Sequence, residues 1–205
     1  VRRWLLLLPL ALVLALASSA SRLHVFWWPD QLHEATAGSQ GSPVEVSDEW
    51  EDQDGETHRR DLTLTVLAVA PAERVPTYDG TEPVRPIPGT VLWEVRLGFE
   101  VEPDVPLGSC RVSMIDTEGR EAWAVRTSYG EQMLPMTVCE PTDSPGPGYA
   151  GLLEEVPGEE PSPPRPREYV VPVYVLAADD ATPDRIRVWW EPPDYVEVEV
   201  DPDDE

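Results

Sequence analysis

Cys110 and Cys139 are the chain's two cysteines, with no further Cys or His beside either in sequence. That isolation argues against a metal or redox centre, and an even pair in an exported protein is most simply a disulfide. Closing a loop of about 30 residues stabilises a fold by roughly 3 to 4 kcal/mol in the chain-entropy treatment. The histidines, His24, His33 and His58, have no catalytic partner nearby and are expected to be structural or exposed. No nucleophile elbow, H-E-x-x-H helix, P-loop or dinucleotide-binding glycine signature occurs. An EF-hand aligned on Gly55 would use Asp52 and Asp54 at its third and fifth positions, but Trp50 falls at the first and Asp61 where a bidentate Glu belongs. A looser cation site at Asp179, Asp180 and Asp184 competes with ordinary turn solvation. With 39 acids, a pair suited to glycoside hydrolysis carries no specificity. No catalytic residue, metal or cofactor is therefore expected.

Aromatic residues carry the one positive sign of binding. Trp189 and Trp190 are adjacent on an expected strand and must face opposite ways, so one can be core while the other stacks on a sugar or fills a partner's pocket. The competing reading has both covered. Trp93 and Trp123 fall on faces that read as core.

The elements that must hold these residues are strands. "TVLWEVRLGFEVE", Thr90 to Glu102, puts Val91, Trp93, Val95, Leu97, Phe99 and Val101 on one face, with charges and Gly98 on the other. Such period-two alternation belongs to a strand with one face on a core. Before it, residues 44–69 read as a hairpin turning at Asp54-Gly55, with Leu62, Leu64, Val66 and Ala68 inward. A turn-rich piece spans Pro71 to Gly89. After the central strand, Cys110, Val112 and Met114 share a face, Gly119 serves a tight turn, and Trp123 and Val125 share a face on the return. Pro172 pushes its strand to a sheet edge, and Val196, Val198 and Val200 alternate with Tyr195, Glu197 and Glu199. About seven to nine strands and no convincing soluble helix predict an all-β, immunoglobulin-like sandwich.

The expected organisation runs in four parts. Residues 1–28 form a signal anchor or signal peptide, 29–43 a flexible tether, 44–200 the sandwich with a disordered Pro-rich insertion at 141–168, and 201–205 an acidic tail. Arg2 and Arg3 precede an apolar run from Trp4 to Ala17, which orients the rest of the chain outward. Small residues permit cleavage after Ala17 or Ala20 and secretion. Uncleaved, an apolar helix from Trp4 to Phe26 would span about 34 Å and anchor the chain in the membrane, with Phe26, Trp27 and Trp28 in the outer interface. No Cys occupies a lipobox position. Arginine without lysine, and Val1 at the start, fit a GC-rich bacterial gene with a GTG start codon. Loss of residues 1–22 removes three Arg and no acid, taking the net charge from −24 to −27. That field excludes nucleic acid as a partner and favours cationic partners or solubility.

The order of "LTLTVLAV", "TVLWEVRLGFEVE", "SCRVSMIDTEGREAW" and "PDRIRVWW" resembles the actinobacterial secreted immunoprotective-antigen-like domains of immunoglobulin fold, whose function is unknown. Asp116, Gly119 and Arg120 stand where that family carries an Asp-x-x-Gly-Arg hairpin. The resemblance implies a sandwich outside the cytoplasm and no catalytic residues. A tethered or secreted, non-catalytic module of the cell envelope is the expected function, with an envelope protein or glycan as partner. The alternatives are a carbohydrate-binding module using an exposed Trp, and an acid-pair hydrolase.

Overall fold

The computed structural model describes residues 22–51, 54–77, 80–134, 138–144, 146–147 and 164–201, together with positions 9, 11 and 13–15. Thirteen strands run through these residues. β1 (Glu34–Ser39), β2 (Val44–Glu51), β3 (Thr57–Pro71), β4 (Arg74–Thr77), β5 (Gly80–Pro83) and β6 (Thr90–Val101) precede β7 (Arg111–Asp116) and β8 (Glu121–Trp123). The short β9 (Ser128–Tyr129) and β10 (Gln132–Met133) follow, then β11 (Glu168–Ala178), β12 (Pro183–Trp189) and β13 (Asp194–Glu199). One sheet has the order β1-β13-β12-β7-β8 and the other β11-β6-β3-β2. The alternating apolar faces of both meet in one core that includes Leu64, Val95, Leu97, Met114, Val175, Ile186 and Val198. This is the expected all-β sandwich.

Local chemistry explains most of the strand pairing. Gly55, at φ 80°, turns β2 into β3 as expected of Asp54-Gly55. On β6, Trp93, Val95, Leu97, Phe99 and Val101 are buried, as their alternation predicts. Leu92, on the opposite face, is buried too, because it joins a second cluster with Val75, Tyr129, Leu134 and Tyr174. The turn-rich Pro71–Gly89 piece contains the β4–β5 hairpin, whose Val75 belongs to that cluster. Pro172 lies on β11, an edge strand, where its missing N–H removes no needed ladder bond.

Two expectations are corrected. In β3 the register shifts between Val66 and Ala68, so Leu67 bulges outward over Gly98 and Val69, not Ala68, is buried. The expected tether contains β1, which pairs in parallel with β13 and puts the start of the sheet ten residues before Val44. Gly38 permits this, since a Cβ there would overlap Val44 Cγ2. Of the expected apolar helix, positions 9, 11, 13–15 and 22–27 are helical, and residues 16–21 lie outside the described residues. Leu23–Trp27 is one helical turn, followed by a 3-10 turn at Trp28–Asp30 that contains Pro29. Among the described residues no helix is long and apolar enough to cross a membrane. Most of the Trp4–Ala17 run lies outside them, as do the Phe26 side chain, residues 148–163 of the Pro-rich stretch and residues 202–205.

Candidate binding cleft

The Asp116–Arg120 turn sets the register of the strand that follows. Asp116 Oδ1 accepts the N–H groups of Glu118 (3.0 Å) and Arg120 (2.8 Å), and Gly119 takes φ 81°. Arg120 Nε returns to Asp116 Oδ2 at 2.5 Å, while its Nη1 meets Asp180 at 2.9 Å. Burial pushes the Asp116 carboxyl up, but the hydrogen bonds from Arg120 and Glu118 outweigh it and hold the group below the usual carboxylate range. The turn places Ala122 opposite Met114, facing the core, and Trp123 opposite Ser113, facing out. Trp123 is therefore 52% exposed, against the expectation that it is core. A one-residue difference in turn register reverses every side chain on so short a strand.

Trp189 and Trp190, the expected ligand contacts, are each 3% exposed, so neither offers a free face. Trp189 lies on the outer face beneath Trp123, edge to face with ring centroids 5.3 Å apart. Trp190 enters the core, donates Nε1–H to Leu107 C=O at 3.3 Å and carries the Arg60 guanidinium 5.2 Å above its ring. Of these three tryptophans, the one that can meet a ligand is Trp123, braced by Trp189. Its signal lay in the Asp116-x-x-Gly119 turn rather than in the Trp pair.

Trp123 stands at a cleft of about 430 Å³ between β8 and β11. Met114, Ala122, Ala177 and Ala181 give it a small-residue apolar lining, and Arg120 and Glu121 add polar groups. Glu121 Oε1 accepts the Ser113 hydroxyl at 2.7 Å, which fixes that carboxylate beside the indole. The arrangement suits an apolar or flat group against the indole, with hydrogen bonding at the edge.

A second polar cluster lies inside the sandwich. Asp48 and Arg60 face each other across the β2–β3 ladder at inward positions, in phase with Val44, Val46 and Leu62, so the sequence held the signal for the pair. Arg60 is fully buried; its Nη1 donates to Asp48 Oδ2 at 2.9 Å and its Nε–H to Pro106 C=O at 3.1 Å. Burial pushes the Asp48 carboxyl up to about 6, and nearby Glu191 and Asp194 add to this against the pull of Arg60. Arg165, also buried, donates to the carbonyls of Glu102 (2.9 Å) and Val105 (2.6 Å), so the 102–110 loop is held by Arg60, Arg165 and Trp190 together. The loop ends at the Cys110–Cys139 disulfide, with Cα atoms 6.0 Å apart, as expected from sequence. Arg126 donates to Cys110 C=O and the Tyr169 hydroxyl to Cys139 C=O. This end is built for rigidity.

The remaining residues singled out by sequence are dispersed. Among the described residues no group of three or more His, Cys, Asp or Glu is placed to hold a metal ion; Asp180 is bound to Arg120 and Asp184 to Arg185. Asp52 lies outside the described residues. His33 bonds to Gln31 C=O and packs on Trp28, and His58 stacks on Trp50. Trp27 and Trp28 are 54% and 45% exposed.

The two sheets and their shared core make this an all-β sandwich protein. No family model matches the chain, and no curated protein matches it. The crystal structure of an uncharacterized β-sandwich protein from Clostridium difficile 630 is similar, with a TM-score of 0.40 and 8% identity over 82% of this chain and 95% of that one. No family match supports the resemblance to the actinobacterial antigen-like domains.

Proposed function

We propose that the protein is a non-catalytic binding module of the bacterial cell envelope, exported and either tethered by its N-terminal apolar segment or secreted after cleavage. The observation that carries the binding role is the exposed Trp123, fixed by Trp189 at the mouth of an apolar cleft. The disulfide supports an oxidising address outside the cytoplasm, and the charge pattern around Trp4–Ala17 supports export. An immunoglobulin-like strand arrangement is part of this reading. Carbohydrate binding is the second reading, favoured by the same indole, which takes the place first assigned to Trp189 or Trp190.

Binding of the labelled protein to isolated cell envelopes, compared with Trp123→Ala, tests the role of the cleft. Trp123→Ala is expected to lose most of the binding while keeping the native fold, and equal binding refutes the site. Intact mass of the protein from a membrane fraction, before and after thiol labelling, tests the address. A full-length mass with protected thiols supports the anchor, a mass starting near Ser18 or Ser21 supports secretion, and free thiols in a cytosolic fraction refute export.

A further inference from the structure

A second opening lies on the other side of the sandwich from β8 and β11, where the β2 edge of one sheet faces the β12–β13 turn of the other. Its mouth, of about 440 Å³, is lined by Ser47, Asp48, Glu49, Arg59 and the Glu191–Asp194 turn. A chamber of about 40 Å³ adjoins it, walled by Val46, Val188, Trp190 and Val196. Ser47, Asp48 and Asp194 line both spaces and so stand between them. The turn is held in place by β1, since the N–H groups of His33 and Glu34 both donate to Pro193 C=O at 3.1 Å.

Charge at this opening is not balanced. Asp48 and Arg60 neutralise one another, and Arg59 Nε donates to Asp61 at 2.8 Å. Glu49 has only a share of Arg59, and among the described residues no basic side chain pairs with Glu191 or Asp194. Asp48 supplies an independent sign of a ligand. Its side chain is 8% exposed, Oδ2 accepts from Arg60, and Oδ1 accepts no hydrogen bond from another residue. A buried acceptor without a donor is costly, so a ligand that brings the donor gains what the fold forgoes.

Size and coordination select the donor. At about 10 to 15 Å³ for each water-sized group, the chamber takes about three, which suits an ammonium on an unbranched stem better than the wide, flat fork of a guanidinium. A metal ion needs several converging ligands, and among the described residues no three acidic, His or Cys groups are placed to hold one.

We propose that this opening binds a primary alkylammonium, seated in the chamber against Asp48 and Asp194 with its stem leaving past Pro192 and Pro193. Glu49 and Glu191 attract it to the mouth. The ligand is a free alkylamine or the lysine side chain of another protein, since this chain contains no lysine. The site is separate from the Trp123 cleft and does not depend on it.

The test is calorimetry on the full chain in detergent micelles, with cadaverine and with capped lysine (both termini blocked) as probes at pH 8, where both carry the ammonium. Tighter binding of capped lysine supports the site with a protein side chain as its ligand, and tighter binding of cadaverine supports it with a free amine. Asp194→Asn, an exposed position, is expected to weaken the tighter probe at least fivefold. Glu168→Gln, which removes one charge at the β11 edge, is expected to leave it unchanged. Burial, with Glu191 and Asp194 adding to it against the pull of Arg60, puts the Asp48 carboxyl at about 6, so binding should weaken about tenfold from pH 8 to pH 5. Asp48→Asn should bind weakly at both. Equal losses from Asp194→Asn and Glu168→Gln reduce the effect to net charge and overturn the site. Equal binding of capped arginine, binding indifferent to pH, or no binding of either amine at millimolar concentration also overturns it.

Discussion

Replacing Asp48 by Asn should change how stability depends on pH, by an amount the interior geometry sets. The Asp48 carboxyl sits at about 6 in the fold against 3.8 for the free side chain, so the folded state holds its proton more tightly. The stabilisation from that proton is fully present below about pH 3.8 and is lost as pH rises through about 6. Each unit corresponds to about 1.4 kcal/mol, so native stability relative to Asp48→Asn should fall by about 3 kcal/mol between pH 3.5 and pH 8. The Asn variant also leaves Arg60 without its counter-ion, an offset that does not vary with pH. Urea unfolding followed by Trp fluorescence at a series of pH values measures the difference. Arg60→Met is the companion variant. It removes the guanidinium that pulls the Asp48 carboxyl down, leaving burial, Glu191 and Asp194 to push it further up. Its cost, about 3 to 5 kcal/mol for a broken buried pair, should be greater at pH 8 than at pH 5. Parallel pH profiles for the native protein and Asp48→Asn, or an Arg60→Met cost equal at both pH values, would refute this account of the interior.

Removing the disulfide with Cys110→Ala and Cys139→Ala, 29 residues apart, should cost about 3.6 kcal/mol in the chain-entropy treatment. Urea unfolding should then shift by about 2 M at a slope of about 2 kcal/mol/M; reductant should shift the native protein but not the variant. Gly38→Ala should destabilise by about 1 to 3 kcal/mol in the same assay, because its Cβ meets Val44 where β1 crosses β2. Gly119→Ala has open space for its Cβ but a φ of 81°, so its cost should be about 1 kcal/mol and conformational in origin.

The sequence determined what local periodicity can determine. Alternation along Thr90–Glu102 set the buried face of β6, Asp54-Gly55 placed a hairpin, Pro172 marked an edge strand, and two lone cysteines specified a disulfide. These depend on the period of a strand, the φ of a turn residue, a missing N–H and the chemistry of a pair, all carried by neighbouring letters. The Asp48–Arg60 pair was also within reach, since both residues fall in phase with inward apolar positions. Only the tertiary structure decided which tryptophan meets solvent. Trp189 is covered because β8 brings Trp123 across it, and Trp123 is outside because a turn held by Asp116 and Arg120 puts Ala122 inward. Likewise, β1 becomes a strand by pairing with β13, more than 150 residues away in sequence, and the cleft exists because the fold sets β8 beside β11. Such features arise from register and from surfaces distant in the chain, where a shift of one residue reverses the outcome and no local pattern records it.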